Sequence, residues 1–376
     1  MNGTWVDEQW DKLVNKMHAV AVRSRDKLPF TAINGVHDDH SQGEEIYAWT
    51  NGFWGGLMWL LYIGTKDEEY RKTALRSEEL LDGAFTHYYH RLCHDVGFMW
   101  QITSGVHYQL TGNEKSLIRA KMAADILTAR FNLNGGFIVA WPGEQEKGWT
   151  IIDTMLNIPL LYWMSEVTQN DRYAQIAMSH ADMTMAHHVR PDGSVAHIAV
   201  HNPETGELIE TLGGQGYAVG SSWSRGQAWG LYGFILSYIH TKKVEYLDTA
   251  KKIAHYFIAS VCSDWLPRAD FRAPSEPEYY DSTAGAIAAC GLIEIARNVP
   301  KYESQMYLNA ALNLLKAVEE KCVDWSEEHD NLTVLGSGRH PISEEMLSGV
   351  HIPIIWGDYY FAEALYKLKG FTPSFE

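Results

Sequence analysis

Aspartates, one arginine and several tryptophans recur at one kind of place in this chain, the start of an apolar helical segment. They read Trp49-Thr50-Asn51, His94-Asp95, Asp153, Trp223-Ser224-Arg225, Asp281-Ser282 and Trp356-Gly357-Asp358. Aspartate is a favoured helix N-cap, so each taken alone has a structural reading. As a set they suit chemistry. If Asp95 and Asp153 enter adjacent helices and approach one another, like charge and partial burial raise one pKa, leaving an acid near neutral pH beside an ionised partner. The expectation is that the charge on Asp95 helps keep Asp153 protonated. Arg225 and His94 can hold a carboxylate through charge-assisted hydrogen bonds. The alternatives are a salt bridge from Arg225 to a neighbouring acid and an ordinary loop histidine at 94. Trp49, Trp141, Trp229 and Trp356 are either core or a flat wall on which a sugar stacks.

Other signals carry less. His37-Asp38-Asp39-His40, followed by Glu44-Glu45, has ligand-type residues but no supporting spacing elsewhere, and reads as a solvated loop. Gly213-Gly214-Gln215-Gly216 follows no strand, so it reads as a flexible loop and not a dinucleotide fingerprint. Cys93, Cys262, Cys290 and Cys322 are scattered, without zinc or disulfide spacing. No metal and no cofactor are expected.

The elements that must position these residues show a repeat. Thr65-Lys66-Asp67 with Tyr70, Thr168-Gln169-Asn170 with Tyr173, and Thr241-Lys242-Lys243 with Tyr246 share a turn, a tyrosine and an alanine four residues later. Thr111-Gly112-Asn113 and the pair Tyr307/Ala311 are degenerate copies. Before the turns lie segments rich in Gly, Ala and aromatics, at 51–63, 98–110, 153–167, 225–240 and 283–298, with 356–369 closing the chain. After them come one-sided, charged segments at 67–82, 114–130, 171–188, 243–260 and 303–321, with 7–24 leading. Apolar all round means buried, and one-sided means outer. Inner and outer helices therefore alternate, no strand run competes, and the expected fold is all-α, an (α/α)6 barrel forming one domain over 1–376. The links from outer to inner helices are long, and loops beyond about 12–15 residues are usually functional. They lead to inner-helix N-termini on one face, whose dipoles favour anions.

That local help is needed, because 31 Lys+Arg against 47 Asp+Glu give a net charge of −16. Such a balance opposes nucleic acid and anionic membrane surfaces. No transmembrane span and no secretory signal are read, so a cytoplasmic location is expected. The oligomeric state is left open.

The motifs Trp49-Thr50-Asn51-Gly52-Phe53-Trp54-Gly55-Gly56, His94-Asp95-Val96-Gly97-Phe98, Ile151-Ile152-Asp153-Thr154-Met155-Leu156-Asn157, Trp223-Ser224-Arg225-Gly226-Gln227-Ala228-Trp229-Gly230 and Ile355-Trp356-Gly357-Asp358-Tyr359-Tyr360 occur in this order. Together they resemble the unsaturated glucuronyl hydrolases, glycoside hydrolase family eighty-eight, over nearly the whole chain. The resemblance implies that Asp153 is the general acid and base, that Asp95 assists it, and that Trp49, His94, Trp141, His197, Gln215, Arg225 and Trp229 line the sugar site. It implies an anionic substrate, an oligosaccharide ending in a 4,5-unsaturated uronic acid. An acid protonates C4 of the C4=C5 enol ether, water adds at C5, and the hemiketal opens. Some members carry a Ser-x-x-Ser-x-Lys sulfate signature; here Ser343–His351 holds no lysine, leaving Arg339, His340 or His351 as substitutes. The rival readings are an unsaturated rhamnogalacturonyl hydrolase, a sugar epimerase and a non-catalytic sugar-binding toroid.

Overall fold

The computed structural model describes residues 2–371, so both ends of the expected 1–376 domain, residue 1 and residues 372–376, lie outside the described residues. The outer helices are α1 (Asn2–Arg23), α3 (Glu68–Tyr88), α6 (Glu114–Ala129), α8 (Asp171–His187), α10 (Val244–Val261) and α12 (Lys301–Cys322). The inner ones are α2 (Gly52–Thr65), the pair α4 (Val96–Trp100) and α5 (Val106–Thr111), α7 (Pro159–Thr168), α9 (Ser224–Thr241), α11 (Ser282–Asn298) and α13 (Ile355–Leu368). Each outer helix packs on an inner one, and α13 packs against α2, so the ring closes. This is the (α/α)6 barrel. The all-round apolar reading holds residue by residue: Ser224 to Ser237 of α9 and Ser282 to Ala296 of α11 are all buried.

The repeated turn has a mechanical explanation. Thr65, Thr111, Thr168 and Thr241 donate their hydroxyls to the carbonyls four residues back, at 2.6–2.7 Å, closing each inner helix. The next residue takes the left-handed backbone that ends many helices, with φ 63° at Lys66, 71° at Gly112, 54° at Gln169 and 56° at Lys242. Asp67, Asn113 and Asn170 then cap the outer helix by accepting from the backbone N–H of Glu69, Ser116 and Arg172. The repeated tyrosines tie each outer helix to the preceding one. Tyr70 donates to Val14 O (2.7 Å), Tyr173 to Asp125 Oδ1 (2.5 Å) and Tyr246 to Asp182 Oδ1 (2.8 Å), while the Tyr307 hydroxyl meets His255 Nε2 (2.9 Å). The alanines four residues on, Ala74, Ala177, Ala250 and Ala311, are fully buried.

Two inner elements depart from the expected continuous helices. The second is interrupted by a π-helical turn, Gln101–Gly105, between α4 and α5. The third begins as a 3-10 turn, Ile152–Leu156, and becomes α-helical at Pro159, whose missing N–H is tolerated only in the first turn. Strands, expected nowhere, occur in the long loops: β1 (Ala32–Ile33) pairs with β2 (Val36–His37), and β3 (Phe131–Asn132) with β4 (Phe137–Ile138). β5 (Trp149–Ile151), β6 (Ile198–His201) and β7 (Leu208–Leu212) form an antiparallel three-stranded sheet. The loop at 37–45 is built, not merely solvated: His37 is buried against Ser24, while Asp38 and Asp39 accept from the N–H groups of Phe30, Thr31 and Leu28.

The starts of the second and third inner elements are pressed together at Gly97. A Cβ there would lie 2.5 Å from Asn157 Cα and 2.7 Å from its carbonyl oxygen. Asn157 clasps the two elements, accepting from Phe98 N–H (2.8 Å) and donating to Asp153 O (3.1 Å). Overpacking a core costs about 1–3 kcal/mol, and backbone in contact cannot relax as a side chain can. Gly97→Ala is therefore expected to lose at least about 3 kcal/mol in denaturant unfolding. Gly349→Ala, where a Cβ meets nothing within 4 Å, is expected to lose almost nothing.

Candidate active site

Asp95 stands immediately before α4 and Asp153 on the 3-10 turn before α7, the two starts that Gly97 and Asn157 hold together. Capping does not explain either. The Asp95 side chain makes no cap hydrogen bond, and Asp153 Oδ2 is buried without a hydrogen-bonding partner. Capping does explain Asp281, which accepts from Thr283 N–H at 3.2 Å at the start of α11. Asp358 anchors a loop, accepting from the N–H groups of Leu332 (3.0 Å) and Thr333 (2.7 Å).

Each free aspartate faces an imidazole. His94 Nε2 is 3.4 Å from Asp95 Oδ2, and His197 Nε2 is 3.5 Å from Asp153 Oδ2. Both are polar contacts longer than a good hydrogen bond. His94 is oriented by the Thr154 hydroxyl at its Nδ1 (3.0 Å), and burial lowers its pKa to about 3, so the ring is neutral. His197 Nδ1 accepts from Gln215 N–H at 2.8 Å, which puts the ring proton on Nε2, toward Asp153. The missed sheet supplies this placement: β5 pairs with β6, and Ile152 N–H donates to His197 O (3.0 Å), setting residue 197 beside the Asp153 turn. The Gly213–Gly216 loop is correspondingly ordered. Gly214, at φ +60°, lies so close to the His197 ring that a Cβ would fall 1.9 Å from Nδ1.

The proton assignment is the reverse of the sequence expectation. Burial, followed by the charge of Asp153, pushes Asp95 up to about 7. Burial also pushes Asp153 upward, but His197, His94 and Arg225 together outweigh it and hold Asp153 below its ordinary value. At neutrality Asp153 is ionised and Asp95 is near its midpoint. The cationic and dipolar environment lies on the Asp153 side.

Arg225 takes the salt-bridge alternative. Its Nη1 pairs with Asp281 Oδ2 (2.8 Å) and also donates to Ser337 O, while Nη2 donates to Gly338 O (2.6 Å). The guanidinium lies 4.6 Å from the Trp223 ring centroid and 5.0 Å from that of Trp356. Only Nε lacks a hydrogen bond. Gln215 Nε2 donates to the same Gly338 carbonyl (2.6 Å). Of the tryptophans, Trp229 and Trp356 are buried core, whereas Trp49 and Trp141 are half-exposed, and Trp141 meets His94 edge-on at 5.9 Å. Thr154 and Asn157 were not singled out as site residues from sequence, and Asp281 was named only for its place at an inner-helix start. Thr154 and Asn157 stand one and four positions after Asp153, a spacing that could have suggested them.

With this geometry in view, comparison with protein families matches residues 26–294 to Glycosyl Hydrolase Family 88. The chain belongs to this family. It is 37% identical over 329 residues to the unsaturated glucuronyl hydrolase of Bacillus sp. (strain GL1), covering 85% of this chain and 86% of that protein. It is 34% identical to the unsaturated chondroitin disaccharide hydrolase of Streptococcus pyogenes serotype M1, covering 86% and 82%. The crystal structure of the Bacillus enzyme superposes with TM-score 0.87 at 33% identity over 96% of this chain and 97% of that one. That of the Streptococcus agalactiae enzyme gives 0.88 at 30% over 99% and 93%. As a family 88 member, this chain is a glycoside hydrolase.

Two outcomes follow from the electrostatics. Because folding raises the Asp95 pKa from its ordinary 3.8 to about 7, the folded chain holds a proton that the unfolded chain releases between those values. Stability is therefore lost as pH rises through that window, and the cost is fully present above about 7, up to about 4 kcal/mol. Asp95→Asn is expected to raise the melting temperature at alkaline pH and change it little at acid pH. Arg225→Lys keeps the charge opposite Asp281 but gives up donors to Ser337 and Gly338, so denaturation should show a loss of about 1–3 kcal/mol. Unchanged stability with impaired turnover would instead show the fork acting on substrate.

Proposed function

We propose that this hydrolase removes a terminal 4,5-unsaturated uronic acid from short oligosaccharides by hydrating the C4=C5 enol ether, with Asp153 and Asp95 sharing one proton. The observation that carries this is the pair itself, an acid raised to about 7 beside an ionised carboxylate, each backed by an imidazole at the barrel mouth. Vinyl-ether hydration needs one proton delivered to C4 and one taken from the water that attacks C5. A single acid/base centre does both, and the hemiketal then collapses to release the neighbouring sugar. In the unliganded protein the proton resides on Asp95. An incoming uronic carboxylate adds negative charge, which raises Asp153 and brings the two proton affinities together. Asp153 is then the residue that protonates C4 and accepts the water proton, with Asp95 as its reservoir.

Trp49 and Trp141 offer the half-buried faces for stacking, and Asp153 Oδ2, His197 Nε2 and Arg225 Nε are buried polar atoms whose hydrogen-bonding capacity is left for a polar ligand. Since Asp281 already neutralises Arg225, the substrate carboxylate draws also on the inner-helix N-termini. Solved relatives include complexes described as dGlcA-Glc-Rha-Glc and dGlcA-GalNAc6S, and an enzyme described as specific for heparin, so the second sugar varies among them. In this chain His351 Nε2 is occupied by Tyr280 N–H and His340 is buried between Tyr217 and Tyr279, leaving exposed Arg339 as the cation for a sulfate. Among the described residues no helix is long and apolar enough to cross a membrane. A cytoplasmic site of action, on oligosaccharides produced by lyases, completes the proposal.

The test is loss of the conjugated enol-acid absorbance with unsaturated disaccharides from chondroitin, hyaluronan, heparin, xanthan, gellan and pectin; unchanged absorbance with all of them sinks the reading. Asp153→Asn is expected to fold and bind while losing about 10²–10⁴-fold in turnover. For the parent, kcat/KM should fall as pH rises through about 7, where the shared proton is lost.

A further inference from the structure

We propose that Cys93, His94 and Asp95 form a three-ligand site for a thiophilic divalent cation such as Zn2+, and that an ion bound there shuts off the catalytic pair. One ligand atom from each residue lies within 4.8 Å of the other two. Cys93 Sγ is 3.4 Å from Asp95 Oδ2, and His94 Nε2 is 3.4 Å from the same oxygen. Zinc binds sulfur at about 2.3 Å and nitrogen or oxygen at about 2.0–2.1 Å, so the edges of a tetrahedral site are about 3.3–3.5 Å. Both edges to Asp95 Oδ2 match, and the third, between Cys93 and His94, lies within 4.8 Å and closes by a side-chain shift.

The imidazole is prepared for the role. Thr154 occupies His94 Nδ1, which orients the ring and turns Nε2 toward the other two ligands, as second-shell partners of metal-bound histidines do. The mixed donor set, one thiolate, one imidazole and one carboxylate, suits zinc better than magnesium or calcium. Three protein ligands leave a fourth position for water on the side of the mouth. The other close histidine pair, His187 and His201, offers no such tripod. There His201 Nδ1 is held by Gly148 O and its Nε2 meets His187 Nδ1 at 2.9 Å.

Binding releases the Cys93 thiol proton, and the proton that Asp95 carries, to solvent and ties up the Asp95 carboxylate as a ligand. The ion is therefore an inhibitor and not a cofactor, because it occupies the Asp95 carboxylate that the proposed reaction uses. This inhibition rests on Asp95 taking part in the reaction; the binding does not.

The experiment titrates chelator-treated protein with Co2+ and follows the thiolate-to-cobalt charge-transfer band, with Zn2+ as competitor. Turnover is followed in parallel and expressed against each variant's own metal-free rate. The parent should show the band, and stoichiometric Zn2+ should abolish both band and turnover. Cys93→Ser keeps a hydroxyl to donate to Asp95 but removes the soft ligand, so it should lose the band and weaken zinc inhibition by more than about tenfold. Cys262→Ser, at an exposed thiol outside the three-ligand cluster, should behave as the parent. Absence of the band in the parent, or its survival in Cys93→Ser, overturns the site. A band that Cys93→Ser removes, with turnover untouched by saturating Zn2+, overturns the shut-off and Asp95's place in the reaction together.

Discussion

The contact of two backbones at Gly97 and Asn157 is the constraint on which the paired carboxylates depend. It brings two inner-helix starts nearer than any side chain would allow, and two carboxylates come with them. Burying like charges together is costly, and proteins relieve the cost by leaving one group protonated. Here Asp95, flanked by a neutral imidazole and a thiol, takes the proton. Asp153, which faces the ring proton of His197 and the field of Arg225, stays ionised. The asymmetry comes from the neighbours, since the two side chains are chemically identical.

Those neighbours arrive from distant parts of the chain, and the long loops exist to deliver them. The β5–β6–β7 sheet carries His197 to the Asp153 turn, and Gly214 and Gln215 close over the ring from the other side. Gln215 then reaches Gly338, whose carbonyl also receives Arg225, while Arg225 reaches Asp281 at the start of α11. Loops between three different helix pairs are thereby tied at one buried cation. Arg225 thus does the work of a fastener as well as shaping the field at the site.

Much of the barrel was legible because its signals are local. A threonine that bonds its own helix, a left-handed residue and an Asx cap occupy three consecutive positions, so Thr65-Lys66-Asp67 and its copies announce each inner-to-outer turn. The tyrosine strut recurs for a different reason: α3, α8 and α10 each meet the preceding outer helix through a tyrosine hydroxyl. The strands were not legible. They are two to five residues long, too short for an alternating pattern, and are specified by partners far away in sequence.

The roles of the aspartates lie between these cases. Type and position singled out Asp95, Asp153, Asp281 and Asp358 alike, because all four stand where a cap is favoured. What separates them is whether a nearby N–H turns toward the carboxylate. Asp281 and Asp358 receive such donors and are spent on structure, while Asp95 and Asp153 receive none from their own helix starts and face imidazoles instead. The direction of the proton shift is less local still. It depends on which carboxylate His197 and Arg225 reach, a fact of tertiary structure, so sequence could propose the pair but not which member is the acid. Under the proposed reaction, which needs only one proton, given and then recovered, that distinction is a matter of the resting state, because the charge of a bound substrate shifts both carboxylates.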